Sequence, residues 1–313
     1  MAKRVGLGVG VLFLATTLWS WTFNAATAGR LQPPAGLRSV QTGGFRTRYV
    51  EWGSAGSAVV LVHGAFESAD TWAATAGVLA RSHRVYALDL VGFGYTERTG
   101  HYTLDDQVRQ LLALLDALGL DRPILVGHSS GAAIVAEATL RAPDRIGALL
   151  LLDGDALATG AGARSSGPSP LVDPYRTTLL RLALYNRWLI PAVYARQCGP
   201  SCPPLTRAGL NTWRRPFEVA GAESALWAMV RQGVPGLPVP RLEQLRGLPV
   251  PKAVVFGADD EVFTVDSPTE TAARIGAPPP QVIAGGRHLT LISHPQVVAT
   301  AIDELGARAH VQY

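Results

Sequence analysis

The chain has 313 residues, 48% hydrophobic and 17% charged, with mean hydropathy +0.17; this excludes an intrinsically disordered protein and leaves material for a sizeable core. Two cysteines are too few for a disulfide-scaffold miniprotein. The net charge of +4 is carried by scattered arginines, Lys3 and Lys252 being the only lysines, and without a basic block no nucleic-acid partner is expected. At about 150 residues per domain the length suits roughly two domains, or one α/β domain carrying an insertion.

No charged residue occurs between Val5 and Gly29, and the apolar run follows the cations Lys3 and Arg4, so residues 1–28 read as an export segment. Its length suits an uncleaved membrane anchor, since about 20 apolar residues cross a bilayer. Trp19 and Trp21 at its far end fit an interfacial belt. Ala26-Thr27-Ala28 has the small-x-small form of a signal-peptide cleavage site, which keeps a secreted or periplasmic protein open, and a buried globular helix is a third option. The first two readings put the remaining chain outside the cytoplasm. There Cys198 and Cys202 are expected to form a local disulfide, worth about 2 kcal/mol for so short a loop. Two free thiols are the alternative.

After the link Gln32-Pro33-Pro34-Ala35-Gly36, the stretches Leu37 to Gln41 and Phe45 to Trp52 flank Thr42-Gly43-Gly44, a hairpin signal. Apolar strands then alternate with helical patterns. Strands are predicted at Ala58 to Val62, Arg84 to Leu88, Ile124 to Val126 and Ile146 to Leu152, with helices near Trp72 to Ala80, Leu104 to Leu118 and Gly131 to Arg141. This is the pattern of an α/β fold with a mostly parallel sheet flanked by helices, its core beginning within residues 29–155. Ala156 to Pro170, rich in Gly, Ser, Ala and Pro, breaks the rhythm. Helices at Tyr175 to Tyr194 and Leu205 to Gln232 follow without a strand between them, so residues 156–248 read as an inserted helical cap. The core resumes over 249–313, with strands at Lys252 to Phe256 and Gln281 to Ala284 and a helix from Pro295 to Leu305.

Gly127-His128-Ser129-Ser130-Gly131 lies between a strand and a helix, where the glycines permit a tight elbow that presents Ser129 at the carboxyl edge of the sheet. A serine nucleophile needs a base. Among seven histidines, His288 is the candidate, because Gly285-Gly286-Arg287-His288 follows the last strand at that same edge. His128 neighbours the serine, but adjacent residues in an elbow point apart; His63 reads as structural. The base in turn needs an orienting carboxylate. Asp260, in Gly257-Ala258-Asp259-Asp260 after the preceding strand, is preferred over Asp259, Asp153 and Asp155, giving the chain order Ser, Asp, His. His63-Gly64-Ala65-Phe66 ends an earlier strand, so the backbone N–H groups of Ala65 and Ser130, with Phe66 next in line, are candidate oxyanion donors.

These motifs, together with the Asp89-Leu90-Val91-Gly92-Phe93-Gly94 turn, resemble the α/β-hydrolase fold superfamily, in the branch with a helical cap inserted after the sixth strand, across Leu37 to Leu305. The N-terminal segment and its Pro-Pro-x-Gly entry resemble a membrane-anchored bacterial subgroup. Ser129 at the elbow argues against haloalkane dehalogenases and epoxide hydrolases, which this resemblance would expect to carry Asp there. HGAFES departs from the HGGPG turn of prolyl aminopeptidase relatives.

The resemblance implies a serine hydrolase, carboxylesterase- or lipase-like, that cleaves a carboxylic ester or related acyl substrate through an acyl-enzyme. The same triad serves carbon-carbon bond hydrolases and cofactor-free haloperoxidase-like enzymes; a non-catalytic binding protein is a further alternative. No metal cluster or phosphate-cradling loop points to a cofactor. Phe66, Phe93, Tyr185, Trp188, Trp213, Phe217, Trp227, Met229 and Phe263 are candidates for an apolar substrate pocket, although aromatic residues at helical spacing more often pack core.

Overall fold

The computed structural model describes residues 2–28, 32–158, 173–186 and 188–311. Most of the segment from Ala156 to Pro170 falls outside them. Helix α1 (Ala2–Thr27) precedes the hairpin of β1 (Ser39–Thr42) and β2 (Phe45–Trp52). The alternating part runs β3 (Ala58–Val62), α2 (Ala73–Leu79), β4 (Arg84–Leu88), α3 (Leu104–Ala117), β5 (Ile124–His128), α4 (Gly131–Arg141) and β6 (Ala148–Leu152). Four helices follow: α5 (Asp173–Tyr185), α6 (Leu189–Cys198), α7 (Arg207–Glu218) and α8 (Ala222–Gln232). The chain closes with α9 (Val239–Leu242), β7 (Lys252–Gly257), α10 (Ser267–Ile275), β8 (Gln281–Ile283), α11 (Thr290–Ser293) and α12 (Pro295–Val311).

The eight strands form one sheet in the order β1-β2-β4-β3-β5-β6-β7-β8, antiparallel at the β1–β2 and β2–β4 pairings and parallel elsewhere. Period-two alternation sends Val60 and Val62 to the face covered by α3 and α4, while Val59 and Leu61 face α2 and α12. All four are fully buried, which is why β3 reads as an unbroken apolar run. The chain leaves β3 toward β4 on one side and returns to β5 on the other, so a crevice opens at the carboxyl ends of β3 and β5.

The two expected cap helices are four. Tyr175 to Tyr194 is interrupted at Asn186, whose Oδ1 accepts the Trp188 N–H at 2.8 Å, a local side-chain bond that competes with the helix. Leu205 to Gln232 is interrupted at Val219 to Gly221, where Gly221 adopts φ +83°. The insertion's two ends pair at Leu157 and Leu237, so α9 and the turn after it pack on α4 and α10, as part of the core's flank rather than of the cap. Alpha10, which the sequence reading did not assign, starts with Pro268 in its first turn and ends at Gly276, φ +70°.

Gly6–Thr27 is long and apolar enough to cross a membrane. Its second half lies along α5. The hydroxyl of Tyr175 meets those of Thr16 and Thr17 at 3.0 and 2.5 Å, and Thr178 meets Ser20 at 2.9 Å and Asn24 at 3.0 Å. Arg181 bonds the Asn24 carbonyl and pairs with Glu223. Polar residues spaced four apart on an otherwise apolar helix thus find their partners on the cap.

Candidate active site

The loops after β3, β5, β7 and β8 converge on the crevice. At the elbow Ser129 takes φ +51°, a left-handed conformation made possible by tight packing on either side. A Cβ on Gly127 would lie 2.4 Å from the Gly131 carbonyl oxygen, and one on Gly131 would lie 2.6 Å from that of Val62, so neither position admits a side chain. Ser129 Oγ stands 3.1 Å from His288 Nε2, and His288 Nδ1 stands 2.8 Å from Asp260 Oδ2. Because a carboxylate accepts, Nδ1 carries the proton and the Nε2 lone pair faces the serine. The Asp260 side chain is only 4% exposed. Phe263 packs against the His288 ring at 5.8 Å between centroids.

The other acidic candidates lie elsewhere. Asp153 is fully buried and accepts from the Gly257 N–H at 2.8 Å and from the Thr290 hydroxyl, so it clamps β7 to the segment after His288. Burial pushes its carboxyl up to about 6, against the pull of His128. Asp155 caps the Leu157 N–H, and Asp259 is exposed. His63 is fully buried: its Nδ1 donates to the Gly64 carbonyl at 2.7 Å and its Nε2 accepts the Leu90 N–H at 3.1 Å. Burial holds its pKa below the usual histidine value. His310 falls among residues whose side chains are outside the described part.

The backbone N–H groups of Ala65 and Ser130 have no acceptor among the described residues; Ala65 lines the cavity over Ser129, and Ser130 follows the nucleophile directly in the chain. Sequence reasoning overlooked Glu67 and treated His128 only as a neighbour. They form a buried pair, Glu67 Oε1 lying 3.0 Å from His128 Nδ1. The signal was a carboxylate three residues after Gly64 in an otherwise apolar, small-residue turn.

A cavity of about 380 Å³ opens over Ser129 and His288. Phe66, Trp213 and Phe217 line it, as does Ala65. Most of the wall is aliphatic and was not foreseen: Leu180 and Leu184 of α5, then Leu189, Ile190 and Val193 of α6, with the Tyr194 ring beside them. Their spacing of three and four marks the faces those helices turn inward. Five expected lining residues do not contribute. Trp188 is 71% exposed, Trp227 lies away from the cavity, Phe263 packs on Phe256 and His288, and Phe93 with Met229 borders an adjoining small recess, Phe66 and Phe217 lining both spaces. An aromatic ring placed in a helix by sequence carries no information about its azimuth until the helix ends are known. The side chain of Tyr185 lies outside the described residues. Cys198 and Cys202 are joined at the end of α6, with Cα atoms 5.7 Å apart.

Residues 59–301 match the family model described as the alpha/beta hydrolase family. A 2-hydroxy-6-oxo-2,4-heptadienoate hydrolase of Pseudomonas putida is 42% identical over 120 residues, 37% of this chain and 43% of that protein. The similarity to this relative therefore spans less than half of its length. A 2-hydroxy-6-oxo-6-(2'-aminophenyl)hexa-2,4-dienoic acid hydrolase of Metapseudomonas resinovorans is 28% identical over 280 residues, 88% of this chain and 92% of that protein. Among solved structures, a serine hydrolase involved in carbazole degradation superposes with TM-score 0.70 at 25% identity, covering 86% of this chain and 97% of its own.

Proposed function

Since the chain belongs to the alpha/beta hydrolase family, we propose that it is a serine hydrolase that cuts the bond beside a carbonyl by forming an acyl-enzyme on Ser129. The observation that carries this reading is the hydrogen-bonded line Ser129, His288, Asp260 at the floor of an apolar cavity. His288 takes the serine proton as Oγ bonds to the substrate carbonyl carbon. The N–H groups of Ala65 and Ser130 receive the developing oxyanion. When the tetrahedral intermediate collapses, the bond to the leaving group breaks, its electron pair departs with that group, and His288 returns the proton to it. Water activated by His288 then releases the acid.

Two leaving groups fit this sequence of steps. A relative aligned over 88% of this chain is named a 2-hydroxy-6-oxo-6-(2'-aminophenyl)hexa-2,4-dienoic acid hydrolase, which favours a carbon leaving group and hydrolysis of a carbon-carbon bond in a vinylogous diketone over the ester reading that the motifs alone put first. The aliphatic cavity wall, with no arginine or lysine among its lining residues, favours the second reading, an apolar carboxylic ester. A panel of 2-hydroxy-6-oxo-dienoates and aryl or alkyl esters, with Ser129→Ala as the blank, separates them: the preferred class turns over faster by kcat/KM, and turnover by Ser129→Ala equal to wild type would sink both.

For its location we propose that α1 is retained and holds the enzyme at a membrane, with the catalytic domain outside the cytoplasm. The hydrogen bonds from Thr16, Ser20 and Asn24 to α5 support retention, because cleavage after Ala28 would strip these partners from the cap. N-terminal sequencing of the protein recovered from washed membranes tests this; a mature chain starting near Gly29 in the soluble fraction refutes it.

A further inference from the structure

Glu67 and His128 are the buried ionisable pair that the reaction steps leave unused. His128 is fully buried and Glu67 is 8% exposed. The partners of the imidazole define its protonation from geometry. Its Nε2 lies 2.8 Å from the backbone carbonyl oxygen of His288, which can only accept, so that nitrogen carries a proton. Its Nδ1 lies 3.0 and 3.2 Å from the two oxygens of Glu67, so that nitrogen donates as well. With both nitrogens donating, the ring is an imidazolium and Glu67 is its carboxylate counter-ion. The second Glu67 oxygen also accepts the Gly64 N–H at 3.2 Å.

Three chain segments therefore meet on one ion pair: the turn after β3 that bears Ala65, the elbow, through the residue before Ser129, and the loop of the base, through the carbonyl of His288 itself. We propose that Glu67 and His128 form a charged strut that positions the oxyanion turn, the nucleophile and the base relative to one another. This rests on reading Ser129 as the nucleophile. Both are positioning residues. His128 lines neither cavity; Glu67 borders both, but its two oxygens are engaged by the Gly64 N–H and the His128 ring, so it acts through those bonds. The ionisable groups facing the pair are His63, Asp153, whose Oδ2 lies 3.9 Å from His128 Nε2, and His288, whose ring lies 5.0 Å away between centroids. Burial alone would discharge the imidazole; the Glu67 carboxylate outweighs it and holds the pKa at about 9.

The direct readout is made on the unsubstituted chain, with one variant used only to assign the signal. In the ¹⁵N-histidine-labelled full chain, His128, identified by the signal missing from His128→Gln, should display two ring N–H protons at pH 7.5. A single ring N–H, the mark of a neutral imidazole, would overturn the proposal. The functional readout is Glu67→Gln assayed on p-nitrophenyl butyrate. The amide keeps the shape but offers one acceptor where two donors point. The expected result is kcat lower by about 10- to 100-fold with KM within about threefold, since displaced donors and base are felt mainly in the transition state. A folded Glu67→Gln with kcat within twofold of wild type overturns it; if that variant does not fold, the ring N–H count decides. Loss of turnover in Ser129→Ala is the separate test of the nucleophile, so failure of the strut and failure of the hydrolase reading give different patterns.

Discussion

Replacing Arg48 by Met tests the electrostatics beneath the site. Arg48 lies on β2 with its side chain 7% exposed, and reaches Asp89 at 3.2 Å and Asp70 at 2.6 Å. Asp89 is fully buried and also accepts the Ala69 and Tyr95 N–H groups at 2.7 Å each, so it ties the segment after Glu67 to the turn after β4. Removing one partner of a buried ion pair costs about 3–5 kcal/mol, because the other charge is left uncompensated. Asp89 keeps its two N–H donors and Asp70, 29% exposed, can turn to water, so the lower end, about 3 kcal/mol, applies here. At about 2–4 °C per kcal/mol for a chain of this size, the melting temperature should fall by about 6–12 °C. The comparison is Arg145→Met, which breaks the exposed pair with Asp116 at 2.7 Å and should cost less than about 1 kcal/mol. Urea unfolding at pH 7 measures both variants. If Arg48→Met costs no more than Arg145→Met, the idea that Arg48 compensates a buried charge is wrong.

Asp260→Asn should leave the fold intact and lower kcat by about 10⁴-fold, the loss expected when the base adopts the wrong tautomer; a loss under tenfold would move the acid elsewhere. Gly64→Ala would put a Cβ 2.8 Å from Ser129 Cβ and 3.1 Å from Glu67 Oε1, so labelling of Ser129 by a fluorophosphonate should slow by more than tenfold, about 1.4 kcal/mol, while secondary structure by circular dichroism is unchanged. Stability should also fall at alkaline pH. The pKa of His128 is raised in the folded state from 6.5 to about 9, so its contribution is complete below pH 6.5 and is lost as pH rises through 9. The full loss is on the order of 3 kcal/mol. Urea midpoints between pH 6 and 10 should decline in the wild type and flatten in Glu67→Gln; a wild-type midpoint constant across that range refutes this coupling.

The alternation of strands and helices, the elbow and the candidates Ser129, Asp260 and His288 were legible in the sequence because each is set by local rules: a short apolar run between helical patterns, a glycine-flanked turn, a motif at the end of a strand. Their meeting within hydrogen-bond distance follows from the parallel sheet, which collects the carboxyl ends of β3, β5, β7 and β8 on one edge. The cap was legible as helical but not in its breaks, since Asn186 and Gly221 end helices through one side-chain bond and one dihedral angle. Those breaks fix which way α5 to α8 face, and hence why Leu180, Ile190 and Val193 rather than Trp188 and Trp227 stand over the serine. Glu67 with His128, and Arg48 with Asp89, are separated by 61 and 41 residues. No periodicity pairs charges so far apart in the chain; only folding, by removing them from water, makes each need the other.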